Sequence, residues 1–346
     1  MLSRRAFLHQ LGLGAAATVG CQSRHSSPST ETFAPVVTVD RSSESLVKVL
    51  FDSLNDRQRK TICFDWNYKD PQRGLLRKHI CNSWRITPPA IRSDFYSLEQ
   101  QTLIRDIFEG LVQPDWIERF DRQFTDDAQG FGLHQSIALI GTPGDGPFEF
   151  VMTGRHVTFR CDGNSTEHLA FGGPIVYGHA PGGTFEKPGH PGNVFWHQAI
   201  AANKVFQMMD GRQRKLALLP EAPDEAEIAF RGNQSRDGIP VSEFSRDQRE
   251  SLQGVLTKLI EPFRVGDRDE VLMALQKQGG LDACHLAFYE RDRLSDELIW
   301  DNWRLEGPSF VWHYRGSPHV HVWVHVADSP KVELNALNNA WPLRKE

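Results

Sequence analysis

Apolar residues recur at helical spacing in two stretches of the chain that start about 150 residues apart. In the first stretch they are Leu46, Val47, Leu50 and Leu54, then Leu103, Ile104, Ile107, Phe108 and Leu111. In the second they are Val205, Met208 and Met209, then Leu252, Val255, Leu256, Leu259 and Ile260. Residues three to four positions apart share one face of a helix, so each stretch predicts two packed helices, with Ser97 and Ser245 as helix starts. A further helix is predicted near 115–124 and near 267–278.

Each stretch ends in short β-branched or alternating runs that are typical of strands. The predicted strands are 137–140, 148–152 and 157–161 in the first stretch, and 286–289, 310–314 and 320–326 in the second. Helices followed by strands favour the α+β class over a parallel α/β sheet.

Four pairs of segments also match in the same order, which indicates an internal duplication. LNDRQRK at 54–60 matches MDGRQRK at 209–215, and residues 153–168 match 306–321 without a gap. We therefore predict two pseudo-symmetric repeats, each with helices followed by an antiparallel strand meander. The predicted ranges are 44–178 for the first repeat half, 179–193 for a Gly/Pro-rich connecting loop, 194–328 for the second repeat half and 329–346 for a C-terminal tail. The connecting loop is either a functional lid or a surface crossover.

Histidines are concentrated in the last predicted strand. Alternate residues of a strand point to one face, so His319, His321 and His325 share a face with Trp323, while the alternating valines face the core. If Arg315, Gly316 and Ser317 form the hairpin loop, His313 pairs with His319 across it. A compact group of His313, His319 and His321 would result.

Three neutral imidazoles on rigid β-structure suit a divalent transition metal, with zinc first and iron or copper as alternatives. A catalytic zinc site has three protein ligands and an open position for water, whose pKa the metal lowers to about 7. The competing interpretation is a His/Trp face that stacks and forms hydrogen bonds without metal.

The first repeat half offers further candidates for such a site. In the gap-free match His168 stands opposite His321, with Glu167 beside it, and His156 stands opposite Ser309. Glu167 is the candidate general base. His168 is a candidate metal ligand that could complete the site, together with His313, His319, His321 and His325. His134 and His285 begin corresponding strands and are expected to meet at the interface between the halves if a pseudo-twofold axis relates them.

The N-terminus, MLSRRAFLHQLGLGAAATVGC, predicts a twin-arginine lipoprotein-type signal over residues 1–21. Its apolar run is shorter than the ~20 residues that a membrane span needs. We expect acylation of Cys21 followed by a disordered tether over 22–43, or cleavage near Ala15–Ala17 that releases a soluble protein. The expected partner is the twin-arginine export machinery, and the expected location is the periplasm or cell envelope, with membrane contact only through the lipidated Cys21.

Composition excludes some classes of function. The formal net charge is −5 with both signs mixed along the chain, which does not suit nucleic-acid binding. Four cysteines of the mature chain are scattered without CxxC spacing, which favours buried thiols: Cys63, Cys81, Cys161 and Cys284. The chain has no GxSxG elbow, P-loop or GxGxxG motif.

The chain resembles the family known as domain of unknown function 3500. The residues that carry the resemblance are LNDRQRK, NSWRITP at 82–88, SLEQQTLI at 97–104, GRHVTF at 154–159, DGRQRKLAL at 210–218 and LEGPSFVWHYRGSPHVHVWV at 305–324. Members tend to show a Gly-Pro strand, a turn and His-x-His, here Gly307, Pro308, His319 and His321. Members often have a second histidine beside His156, where this chain has Arg155. The resemblance implies an architecture and a site location, and it implies no reaction.

Three functions follow as hypotheses. The leading one is an exported metal-dependent enzyme, a hydrolase that uses a metal-bound water on a small-molecule or oligomeric substrate. The alternatives are a non-catalytic envelope module that binds sugar, peptide or metal, and a copper or iron oxidoreductase. The His-x-His spacing also resembles the metal motif of cupins, but cupins are nearly all β whereas this chain is helix-rich in both halves.

Overall fold

The structure is a computed structural model that describes residues 42–79, 85–163, 165, 169, 175–180, 194–223, 230–291, 299–317 and 319–332. The described residues all belong to one compact unit. Among the residues that the structure describes, no helix combines the length and the apolar character that a membrane crossing requires.

The described residues form eight α-helices, and they follow the two predicted stretches. Their bounds are α1 Ser43–Ser53, α2 Asp56–Ile62, α3 Leu98–Leu111, α4 Pro114–Ala128, α5 Trp196–Gln207, α6 Gly211–Ala217, α7 Arg246–Ile260 and α8 Val265–Lys277. The predicted helix starts at Ser97 and Ser245 are confirmed, since each side chain caps its helix and forms a reciprocal capping box with the glutamine three residues later.

The sequence prediction missed the short helices α2 and α6. Each lies in a segment of the duplicated RQRK motif and starts with its own capping box, Asn55 with Gln58 and Asp210 with Gln213. Seven residues are too few to show a helical apolar stripe, so only the cap signature could have indicated them.

One large mixed sheet contains nearly all the strands of the described residues. Their bounds are β1 Cys63–Phe64, β2 Lys69–Asp70, β3 Gly74–Leu75, β4 Ser136–Gly141, β5 Phe148–Gly154, β6 Val157–Cys161, β7 Ile175–His179, β8 Leu218–Leu219, β9 Ile239–Pro240, β10 His285–Tyr289, β11 Asn302–Gly307, β12 Phe310–Arg315 and β13 Val320–Val326. The sheet order is β1-β4-β5-β6-β7-β13-β12-β11-β10-β8, with β9 beside β10 and with β2 and β3 apart as a separate pair. β1 and β8 run parallel to their neighbours, and the other pairs of the large sheet are antiparallel.

The main hydrophobic core lies between the helices and one face of the sheet. Helical stripe residues such as Leu50, Phe108 and Leu256 pack with inward strand residues such as Phe150 and Val322. The valines of β13 all belong to this core, as the alternation predicted. The predicted α+β class is therefore confirmed. The structure adds that the helices pack on one face of a large mixed sheet.

The opposite face of the sheet is buried as well, but it is much more polar. A smaller apolar cluster that includes Leu76 and Ile86 covers the β4–β5 end of this face. Towards the other end, buried polar side chains follow one another on adjacent strands: Thr153, Thr158, Arg160, Asn302, Arg304, Glu306, His313, His321 and His325. Arg160 pairs there with the buried Glu149, whose pKa burial raises to about 7.

Three details differ from the sequence prediction. β11 was not predicted as a strand, and neither was β7 at the end of the first repeat half, although β7 pairs with β13 along five residues. The β12–β13 hairpin pairs Arg315 with His321, so its loop is longer than three residues. The predicted pairing of His313 with His319 was therefore wrong, and Trp323 lies opposite His313.

Candidate metal centre

Three histidines converge where the loops at one end of the sheet meet. His156 lies in the β5–β6 turn, His319 precedes β13, and His321 is the second residue of β13. His156 and His321 are buried, and His319 is partly exposed. The group therefore joins two segments that are more than 160 residues apart in sequence.

The imidazole nitrogens face each other at short range. His319 Nε2 lies 3.1 Å from His156 Nε2 and 2.8 Å from His321 Nε2. One nitrogen from each of the three rings lies within 4.8 Å of the other two. Three nitrogens bound to zinc at 2.0–2.1 Å in a tetrahedral arrangement are about 3.3 Å apart, so small side-chain movements would admit an ion.

Asp127 at the end of α4 holds the first of these rings. Its Oδ2 accepts a hydrogen bond from His156 Nδ1 at 2.7 Å, and its Oδ1 accepts one from the backbone N–H of Ala180 at 2.8 Å. Gln123, one turn earlier, donates to the same carboxylate at 3.0 Å. Burial alone would raise the pKa of the Asp127 carboxyl, but these hydrogen bonds and the nearby imidazole outweigh it and lower the pKa. A carboxylate that fixes the outer nitrogen leaves Nε2 of His156 directed at the other two rings.

Backbone strain accompanies this placement. The β5–β6 hairpin has a two-residue loop, because Gly154 pairs with Val157, and His156 adopts a φ of 55° in it. Left-handed backbone costs a non-glycine residue on the order of 1 kcal/mol or more, and it persists where the surroundings hold it. Here the hydrogen bond to Asp127 and the contact with His319 provide that support.

The contacts of the group restrict where its protons can be. His156 Nδ1 donates to Asp127, so Nε2 of a neutral His156 carries no proton. His321 Nδ1 accepts a hydrogen bond from Arg315 at 2.6 Å, so a neutral His321 carries its proton on Nε2. His319 Nε2 then faces one bare nitrogen and one N–H, and either of its tautomers leaves one unfavourable contact. One added proton removes this conflict. A metal ion removes it only if His321 carries its proton on Nδ1, without the present contact to Arg315.

His319 is held in its neutral form. Burial lowers its pKa to about 3, and the charges of His321, His156, Arg315 and Arg155 act in the same direction. A neutral imidazole is the form that binds a transition metal.

The other predicted ligands of the last two strands lie away from this group. His313 and His325 lie on the same sheet face as His321, but further along the β12–β13 pair. His313 lies opposite Trp323, and His325 lies opposite Val311. Arg304 Nε donates to His313 Nδ1 at 3.4 Å. Both ring nitrogens of the buried His325 have no hydrogen-bond partner among the residues described, and burial lowers its pKa to about 3.

The remaining candidates fall into two groups. Glu167 and His168 lie outside the described residues. His134 lies just before β4, and His285 is the first residue of β10. These two strands lie on opposite flanks of the sheet, with six strands between them. The expectation that these two histidines meet at an interface was therefore wrong, because the halves join through β7 and β13 instead.

Sequence reasoning named His156 only as the counterpart of Ser309, and it did not name Asp127. No local motif indicates either residue, because the group is assembled by the pairing of β7 with β13 and by the packing of α4. The motif GRHVTF does place His156 at a hairpin turn, directly before a predicted strand.

Comparison with known sequences gives a family match over most of the chain. The profile of the family described as "Protein of unknown function (DUF3500)" matches residues 38–327. The chain belongs to this family. No curated protein and no solved structure matches the chain. The match confirms the resemblance carried by GRHVTF and the C-terminal His-x-His segment, and both parts of the histidine group lie inside it.

Proposed function

We propose that this DUF3500 protein is a metal-dependent enzyme whose centre is formed by His156, His319 and His321. The observation that carries the proposal is the convergence of three imidazole nitrogens at 2.8 and 3.1 Å around His319 Nε2. Three histidine ligands leave a position for water on a four-coordinate metal, which is the arrangement of catalytic rather than structural sites.

Zinc is the proposed ion, with iron or copper as alternatives, because nitrogen ligands suit all three metals. The chemistry proposed is hydrolysis, since a bound divalent ion lowers the pKa of water to about 7 and so supplies a nucleophile. In this chain Asp127 would orient His156 and raise its basicity through the Nδ1 hydrogen bond. Glu167 stays the proposed general base.

Two wider features belong to the same proposal. The signal over residues 1–21 supports export by the twin-arginine route to the periplasm or cell envelope, with Cys21 as a lipid anchor.

The duplication is supported by the equivalent order of elements on both sides of the β7–β13 pair. It is supported further by the paired amides of Gln58 with Gln100 and of Gln213 with Gln248, which join corresponding helices in each half.

The proposal is tested by elemental analysis of the protein purified from its native source without added metal, next to a His319→Ala/His321→Ala double variant. We expect a near-stoichiometric transition metal in the unsubstituted protein and its loss in the variant. A matched control is His285→Ala, which removes a partly exposed histidine at the start of β10, with β11 and β12 between it and β13, and should leave the metal content unchanged.

Circular dichroism of the double variant checks that the fold survives. Folded protein with no metal above background would reject the metal centre and favour a non-catalytic binding module. Metal that persists in the folded double variant would show that the ligands lie elsewhere.

A further inference from the structure

An apolar groove of about 370 Å³ lies between α7, α8 and the residues that follow α8. Its apolar lining consists of leucines and one methionine: Leu256, Leu272, Met273, Leu275 and Leu281. Met273 is 63% exposed and Leu272 is 37% exposed, although α8 also contributes residues to the main core. Single apolar side chains at a surface need no explanation, but exposed ones that line a groove together indicate that the groove binds another apolar group.

α4 is the helix that corresponds to α8 in the proposed duplication, and the two helices end in equivalent contacts. Asp127, in the last turn of α4, bonds to the β5–β6 turn and to the residue that follows β7. Gln278, directly after α8, bonds to the β11–β12 turn and to the residue that follows β13. Aligned on these contacts, Leu272 of α8 stands where α4 has Asp121.

The first half closes the corresponding surface with charged side chains. The helix starts Ser97 and Ser245 align α3 with α7, so Arg105 of α3 stands where α7 has Gln253. Arg105 pairs with Asp121 through two contacts, Nη1 to Oδ1 at 2.6 Å and Nη2 to Oδ2 at 2.8 Å. Its guanidinium also lies 5.2 Å and 4.8 Å from the ring centroids of two buried phenylalanines, which it covers. Glutamine and leucine at the α7 and α8 positions cannot form this ion pair, so the second half has an open apolar groove instead.

The described part of the chain passes close to this groove near its C-terminal end. Lys277, the last residue of α8, places its Nζ 2.7 Å from Asp328 Oδ2. Lys277 follows Met273 by four residues, so the two side chains share one face of α8 and are about 6 Å apart along the helix axis. The chain beyond Asp328 therefore starts about one helical turn from the groove.

The last residues of the chain have the sequence pattern that such a groove binds. Residues 333–346, ELNALNNAWPLRKE, lie outside the described residues, and Leu334, Leu337 and Trp341 recur in them at spacings of three and four. This spacing is typical of one apolar face of a helix, and apolar anchors at such positions bind in grooves between helices. Leu334 follows Asp328 by six residues, which span up to about 20 Å, so it can reach the groove.

We propose that residues 333–346 dock into the groove between α7 and α8 of the same chain, with Leu334, Leu337 and Trp341 against Leu272 and Met273. The groove is an intramolecular docking site for the C-terminal tail. The ion pair in the first half keeps the corresponding surface there closed to such a segment. This inference is independent of the metal centre.

Hydrogen exchange of the purified full chain, followed by mass spectrometry, tests the docking. We expect the amides of residues 335–341 to exchange about tenfold or more slowly than in a free peptide of the same sequence. Met273→Glu places a charge in the groove and should return these amides to the rate of the peptide. Leu337→Asn removes an anchor from the tail and should do the same, and it lies outside the core that the described residues form.

Val265→Glu is the matched control, because Val265 is on the same helix and is 62% exposed but does not line the groove. It should leave the protection of the tail unchanged. Tail amides that exchange at the peptide rate in the unsubstituted protein would overturn the proposal, and so would protection that survives Met273→Glu. Protection that disappears on dilution, together with a dimer in sedimentation velocity, would overturn it too, because the groove would then hold a second copy of the chain.

Discussion

At the residue scale, Asp127 and Asp126 form a natural comparison. They are consecutive on α4, and each accepts a hydrogen bond from a buried histidine, yet only the partner of Asp127 belongs to the candidate centre. An outer carboxylate on a metal-binding histidine fixes the ring and strengthens it as a ligand, and its removal typically reduces metal affinity by 10- to 100-fold (on the order of 1.4–2.8 kcal/mol).

We therefore expect Asp127→Asn to weaken zinc binding by about 10- to 100-fold, measured by competition with a chromophoric chelator. Asp126→Asn should change the affinity by less than about threefold, because its partner His179 is not a ligand. Equal losses in the two variants would show that the effect comes from the end of α4 as a whole and not from His156.

His325 makes a second prediction at this scale, for the metal-free protein. Its folded pKa of about 3 is below the ordinary value of 6.5, so between these pH values the unfolded chain binds more protons than the folded one. The stability contributed by the neutral ring is thus fully present above pH 6.5 and is lost as the pH falls towards 3, at up to about 1.4 kcal/mol per pH unit.

His325→Phe should accordingly reduce the slope of the unfolding free energy against pH in this window. Urea unfolding at a series of pH values in the presence of a chelator measures the slope. A pH-independent change in the unfolding free energy caused by the substitution does not affect this slope. An unchanged slope would mean that His325 finds a proton-accepting partner in the folded state.

At the element scale, sequence patterns were informative where a segment's own residues determine its structure. The stripes of α3 and α7 and the alternation of β13 each reflect a choice between core and polar face within one segment, and all three elements were predicted. β7 was missed because its five residues lie among glycines and prolines, and its strand structure depends on β13, nearly 150 residues later. The loop of the β12–β13 hairpin was misjudged for a related reason: its register is determined by strand pairing, and Gly-Ser-Pro after Arg315 is compatible with several loop lengths.

The same distinction between local and tertiary information explains which residues of the candidate centre could be predicted from the sequence. His319 and His321 could be named because they lie two residues apart, just before and within one predicted strand, and this spacing needs no tertiary information. His156 and Asp127 could not, since the β5–β6 turn and the end of α4 reach the group only through the packing of one half against the other.

At the scale of the whole molecule, the centre connects the two halves of the chain. β7 and β13 meet in the middle of the sheet, and the histidine group lies at one end of this junction, with His156 from the first half and His319 and His321 from the second. A metal ion that binds all three rings would therefore cross-link the halves beside their shared strand pair. Because such an ion binds only the folded arrangement, it stabilises the folded protein by mass action.

Free zinc at 100 times its dissociation constant should accordingly raise the unfolding free energy by about 2.7 kcal/mol. His156→Ala should abolish most of this gain even though two ligands remain on β13, whereas His313→Ala, on the same sheet face but outside the group, should retain it. Thermal unfolding with and without zinc measures the gain, and hydrogen exchange locates it. Protection by zinc should appear in the amides of both β6 and β13, because the ion would tie the turn that precedes one strand to the start of the other. Protection confined to β13 would show that the first half supplies no ligand.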